Sequence, residues 1–326
     1  MFMPFSSPLP NIVSGKKSRR LVATMILGIM AVMAGISLFL SLQSWQQRRA
    51  HDQKPLGYLP PDCNVIGALH VSKILQEEAG PEFLDQLSFG STHFRIADLE
   101  YGTGLRREEL IDVVFGWKVA DLLMPRLTLV LQTRLPYKEA QILARLKEKQ
   151  FVERDHKKML RVQSEKTPFH AVLWFAGENT VVAGLSLEDL DAVPAIPRSG
   201  INHLPPPLQE FSTDEMTRTA HLWILGHSEH WDKTVLGSNL AQTLGLDQQS
   251  LNEVHTFGAW VRWDQRMIAN AALQCTDEAK ARDLESRLLR KGLGDKGRLY
   301  LEQNNWVKFA AQPSLPTFLQ WMAALW

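Results

Sequence analysis

The sequence predicts an α+β protein: a single N-terminal transmembrane helix followed by two tandem α+β repeats with mainly antiparallel sheets. Three observations lead there. A charge-free run occupies residues 21–42, a motif recurs about 140 residues apart, and in each copy an alternating strand precedes a charged amphipathic helix.

Residues 1–20, with Pro4, Pro8 and Pro10, read as a short flexible cytoplasmic tail. The next segment, 21–43, reads as the membrane helix. Twenty-two uncharged residues rising about 1.5 Å each span roughly 33 Å, the depth of a bilayer's hydrocarbon core. Lys16, Lys17, Arg19 and Arg20 precede the run, and Arg48 and Arg49 follow it. The positive-inside rule then places the N-terminus in the cytoplasm and the large C-terminal part outside. The apolar run exceeds a signal peptide's core, and Leu42-Gln43-Ser44-Trp45 makes a poor cleavage site. Membrane lipid is therefore an expected partner through 21–43. Ala31 and Gly35 form a small-xxx-small pair suited to packing against a second copy, a candidate homodimer contact. Residues 44–58 read as a juxtamembrane linker.

The first repeat spans 59–193. It opens with Leu59-Pro60-Pro61, a strand at Val65–Val71 and Ser72 as a helix cap. Phe115-Gly116-Trp117 comes next, then alternating residues 127–132, which mark a half-buried strand. An amphipathic helix is expected over 137–150, with Ala140, Leu143 and Ala144 on one face. A hairpin with its turn at Gly177-Glu178-Asn179 closes the unit. Residues 194–218, rich in proline, read as a linker. The second repeat, 219–326, follows the same order: a strand at Ala220–Leu225, Ser228 as cap and Phe257-Gly258-Ala259-Trp260. A strand at 267–274, a helix over 277–291 and a hairpin turning at Gln303-Asn304-Asn305 complete it. Trp117 and Trp260 occupy matching places and are expected in the core.

Composition narrows the function classes. At 45% hydrophobic the chain can bury a core, which excludes wholesale disorder. A net charge of +1 gives no basic excess for nucleic acid. Residues 1–44 hold four basic groups and no acid, which leaves 32 basic and 35 acidic groups beyond them, a net of −3. Two cysteines, Cys63 and Cys275, exclude a disulfide scaffold.

Candidate chemistry is sparse. His227 and His230 lie three residues apart, which on a helix would aim both imidazoles from one face, and His221 lies on the preceding strand. They are the candidate metal ligands, at the centre of a metal-dependent hydrolase reading, although His-Ser-Glu-His is not the His-Glu-x-x-His zinc pattern. The paired carboxylates Glu77-Glu78, Glu108-Glu109 and Glu188-Asp189 lack the apolar surround that raises an acid's pKa. No catalytic residue and no cofactor is assigned. From Phe309 to the end the chain carries no charged residue, and Trp321, Met322, Leu325 and Trp326 are the candidate contact surface for a protein partner.

Tyr58-Leu59-Pro60-Pro61-Asp62, the strand that follows, and the second start at Leu204-Pro205-Pro206 with His221-Leu222-Trp223 carry a family likeness. They resemble planctomycete-type single-pass membrane proteins with a duplicated extracytoplasmic α+β domain and no known activity. The resemblance implies a bacterial, anchored protein and transfers no catalytic residue. The expected function is thus non-enzymatic: a membrane-anchored extracytoplasmic protein that binds a protein partner or organises an envelope complex. A carrier of lipid or other apolar ligand is the alternative, and it requires an apolar pocket of about 300–1,000 Å³.

Overall fold

Among the described residues helix and strand are about equal, and most of the strands join into one sheet. The computed structural model describes residues 55–89, 94–119, 126–146, 150–154, 157–163, 170–186, 202–212, 214–244, 246–302 and 305–325. The strands are β1 (Val65–Leu69), β2 (Ser88–Phe89), β3 (Phe94–Arg95), β4 (Leu110–Lys118), β5 (Arg126–Thr133), β6 (Gln150–Arg154) and β7 (Lys157–Gln163). Then come β8 (His170–Gly177), β9 (Thr180–Ser186), β10 (Leu222–His227), β11 (Val254–Asp264), β12 (Arg266–Cys275), β13 (Arg298–Glu302) and β14 (Trp306–Ala311). Twelve of them form one sheet in the order β13-β14-β12-β11-β10-β1-β4-β5-β9-β8-β7-β6, and β2 and β3 form a separate small ribbon. Every pairing is antiparallel.

This overturns the predicted fold class. The expected architecture had two tandem units with sheets of their own. Instead β1 and β10 pair at the middle, Ile66 opposite Leu225, so one sheet is hydrogen-bonded without a break. Neither half ends in a free edge at that junction. No helix among the described residues is long and apolar enough to cross a membrane. The predicted membrane segment, 21–43, and its Ala31/Gly35 pair lie outside the described residues.

The helices are short and mostly cover one face. They are α1 (Val71–Ile74), α2 (Gly80–Gln86), α3 (Ile96–Thr103), α4 (Glu139–Arg145), α5 (Pro206–Phe211) and α6 (Asp214–Thr219). After these come α7 (Val235–Leu244), α8 (Gln248–Leu251), α9 (Glu278–Arg290), α10 (Leu293–Lys296) and α11 (Leu315–Leu325). The longest, α9, starts where the Asp277 carboxylate accepts from the Lys280 N–H at 2.8 Å. It buries Ala281, Leu284 and Leu288, spaced for one helical face, in a cluster with Val307 of β14.

Alternation along the strands divides the core. Leu69, Val113 and Leu131 point into a layer built with α1 to α4 and α11, through Ile74, Phe83, Leu99, Ile142 and Phe318. Ile66, Ala68, Val114 and Val130 point the opposite way. There they meet Leu56 of a 3-10 turn at 55–58, Leu59 just after it, Leu208 of α5 and Met216 of α6. The stretch read as a proline-rich linker thus carries α5 in its second half. Pro206 and Pro207 occupy that helix's first turn, where a missing N–H costs nothing.

Ser72 does not cap: α1 begins at Val71, with His70 before it and no side-chain cap bond. Trp117 and Trp260 also part company. Trp117 packs with the Trp231 and Phe257 cluster, and Trp260 packs with Trp223 and Leu225 on the other face. The extra residue, Ala259, is the cause, because one inserted position turns a strand's following side chains over.

Candidate functional site

The second half of the sheet leaves part of one face uncovered, and a groove of about 630 Å³ lies there. Its floor is strand: Trp260 and Arg262 of β11, and Ile268, Asn270 and Gln274 of β12. Trp306 and Lys308 of β14 complete it. Register places these side chains together, with Trp260 opposite Asn270, Arg262 opposite Ile268 and Gln274 opposite Trp306. The wall is α5, whose last residue, Phe211, reaches down onto the sheet.

Phe211 is seated by three neighbours. It stacks on Trp306 with ring centroids 4.7 Å apart, and meets Trp260 edge-on at 6.5 Å. Below it lies Gly258, where a Cβ would fall 1.9 Å from the ring. Glycine at 258 is therefore what lets the ring come down to the backbone.

The charged groups differ in how they are held. Lys308 pairs with Glu302, whose side chain is half exposed. Glu210 stands exposed at the rim. Arg262 Nε is buried with no hydrogen-bond partner, and none of the described residues forms an ion pair with its guanidinium. The groove therefore combines aromatic planes, two side-chain amides and an unneutralised cation.

A second cluster lies beyond the β1–β10 pair. His70 Nδ1 contacts Asp112 Oδ1 at 2.6 Å, and His221 Nε2 lies 3.4 Å from Glu77 Oε1. His221 Nδ1 accepts from the Trp263 backbone N–H at 3.1 Å, which assigns the proton to Nε2, facing Glu77. No lone pair of neutral His221 is left for a metal or for base chemistry. Burial pushes the His221 pKa below its ordinary value, helped by Lys73 and His70 and opposed by Glu77. The backbone there extends the central ladder: the His70 N–H donates to the His221 carbonyl at 2.9 Å. These contacts make it a partly buried clasp that ties the end of β1 to β4 and β10.

The proposed histidine triad does not converge. His221 precedes β10 and His227 ends it, six residues and about 20 Å of strand away. His227 sits on strand, not helix, and its Nδ1 contacts Thr256 Oγ1 at 3.2 Å. Burial is the main cause that lowers its pKa, and His255 adds to it. His230 is exposed before a 3-10 turn, and its N–H donates to Ser228 Oγ at 3.0 Å. Among the described residues no group of three or more His, Cys, Asp or Glu side chains is placed to hold a metal.

The candidate partner surface is drawn partly into the fold. Trp321 lies edge-on to Phe309 at 6.3 Å and packs against the main core, and its neighbour Phe318 is buried. Met322 and Leu325 lie on α11, and Trp326 falls outside the described residues. Cys63 and Cys275 are free, buried in separate clusters, each with its thiol pKa pushed up to about 12, chiefly by burial.

Sequence reasoning missed the groove. Trp260, Arg262, Asn270, Gln274, Trp306 and Lys308 come from three strands, and only the register assembles them. One signal was present: polar residues alternate with apolar ones on 267–274, on the face the pattern marks as outward.

The chain matches no protein-family model, no curated protein and no solved structure.

Proposed function

We propose that this protein is a non-enzymatic glycan-binding module, held at a membrane by residues 21–43 with its sheet outside the cytoplasm. What carries the reading is one juxtaposition: the Phe211, Trp260 and Trp306 rings beside the Asn270 and Gln274 amides in a groove of about 630 Å³. A sugar ring presents a C–H face and a hydroxyl edge. Its face packs on the negative face of an aromatic ring, and its hydroxyls suit amides that both donate and accept.

The volume fits the range for ligand sites, about 300–1,000 Å³. An apolar ligand suits the lining poorly. It would desolvate Arg262, Asn270 and Gln274 without replacing their water, at about 1–3 kcal/mol per group. Binding is favoured over hydrolysis because both groove carboxylates are open to water. Glu210 is exposed and Glu302 is tied to Lys308. A general acid needs an apolar surround to stay protonated at neutral pH.

The test is calorimetric titration of the full-length protein, in mild detergent, with chitotetraose. Saturable binding is expected, weakened about tenfold or more by Trp260→Ala, since a tenfold loss is about 1.4 kcal/mol and one aromatic contact supplies that much. Binding that Trp260→Ala leaves unchanged, or absence of binding to this and to every other oligosaccharide tested, would sink the reading.

A further inference from the structure

Asn270 and Gln274 suit the hydroxyls of any sugar, but Arg262 is a more selective feature. Its Nε is buried without a hydrogen-bond partner, and the residue lines the groove. Its Cα partner on β12 is the apolar Ile268, and Trp260 stands two residues away on the same face. The groove's other cation, Lys308, already has Glu302. A partly dehydrated guanidinium with no carboxylate is incomplete. Its planar fork of N–H groups matches a planar carboxylate through two parallel hydrogen bonds.

We infer that the groove selects acidic saccharides of the uronic-acid type, with the sugar carboxylate on Arg262 and the ring against Trp260. The inference rests on the glycan reading and narrows it. The Asn270 amide, opposite Trp260, is placed for a hydroxyl beside that carboxylate. An acidic peptide is the competing chemistry. Peptides commonly bind a sheet by adding a strand at a free edge. Here β11 is paired on both sides, to β10 and β12, and β12 is paired to β11 and β14. The floor offers side chains only.

The experiment compares four probes by calorimetry on the full-length protein in mild detergent: tetragalacturonate, its fully methyl-esterified form, chitotetraose and tetraglutamate. The ester keeps the sugar backbone, removes the charge and adds one methyl per carboxyl, while Arg262→Gln removes the charge partner from the protein side. Tetragalacturonate is expected to bind at least tenfold more tightly than its ester. Its affinity should fall as salt rises. Arg262→Gln should bring the acid's affinity down to the ester's, with melting curves confirming that the variant is folded. The wild-type comparison of acid and ester stands even if that variant does not fold. Equal binding of acid and ester, with both weakened by Trp260→Ala, overturns the carboxylate inference and leaves the glycan reading in place. Tetraglutamate binding as tightly as the uronate overturns the saccharide class. Failure of all three saccharides overturns both readings.

Discussion

Gly258→Ala is the substitution that most directly probes how the groove wall is seated. A methyl at 258 would lie 1.9 Å from Phe211 Cε1, 2.5 Å from Cζ and 2.9 Å from Leu225 Cδ2. Contacts that short are repulsive, so the Phe211 ring has to lift. It is stacked on Trp306 and edged by Trp260, so lifting it breaks both ring contacts. Overpacking of this kind costs about 1–3 kcal/mol. Alanine recovers about 0.5–1 kcal/mol from glycine's backbone entropy. A net loss of roughly 1–2 kcal/mol remains, which for a chain of this size lowers Tm by about 2–8 °C.

The assay is thermal unfolding of four proteins: wild type, Gly258→Ala, Phe211→Ala and the double variant. Once Phe211 is removed, the remaining close contact of the methyl is Leu225 Cδ2 at 2.9 Å, the far end of a flexible side chain that can turn aside. Gly258→Ala should then be neutral or stabilising, a reversal of sign with a coupling of about 2 kcal/mol. Gly258→Ala within about 0.5 kcal/mol of wild type in both backgrounds would refute the seating of Phe211, and with it the shape of the groove wall.

Three further outcomes are expected. His221 and His227 both have folded-state pKa values below the ordinary 6.5, chiefly through burial, so the folded chain binds fewer protons than the unfolded one. Their contribution is unaffected above about pH 6.5 and turns destabilising as pH falls below that value, flattening below the folded pKa values. His221→Asn, whose side-chain oxygen can accept from the Trp263 N–H, should shrink the acid-side loss measured by urea unfolding at pH 7 and pH 5.5; an unchanged loss would contradict the assignment. Asp112→Ala removes the carboxylate on His70 Nδ1 and should destabilise by roughly 1.5–3 kcal/mol, with Asp112→Asn milder, as read from the same curves. Cys63 and Cys275, with pKa values of about 12, should be inert to a thiol reagent at pH 8 in the folded protein and both react in denaturant; rapid reaction of the folded chain would contradict their burial.

Local structure was legible wherever a segment's own pattern decides it. The strand expected at 127–132 is β5, that at 267–274 is β12, and the helix expected over 277–291 is α9, capped by Asp277. The hairpin at 177–179 joins β8 to β9, and Asn305 takes a positive φ of 64° before β14. The helix expected over 137–150 ends at Arg145, and the chain turns into β6 and β7. Phe151-Val152 and Met159-Leu160 there are adjacent apolar pairs between charged or polar neighbours, too short and without the alternation that marks a strand. The central β1–β10 pairing was illegible for a different reason. Both strands look like ordinary buried strands, and nothing in either one names its partner. The His221–Glu77 contact depends on that pairing, the His70–Asp112 contact depends on β1 lying beside β4, with Leu69 opposite Val113, and the separation of His221 from His227 follows from β10 being extended strand. The groove is hidden for the same reason, because its lining is set by which strands are neighbours.

Hydrogen–deuterium exchange of the full-length protein, with and without saturating tetragalacturonate, tests the groove most directly. Slowed exchange is expected at 206–212, 258–274 and 305–308, segments that carry its wall and floor residues. Protection centred instead on the clasp around His70 and His221, or no protection of these three segments under conditions where binding is saturated, would contradict the account.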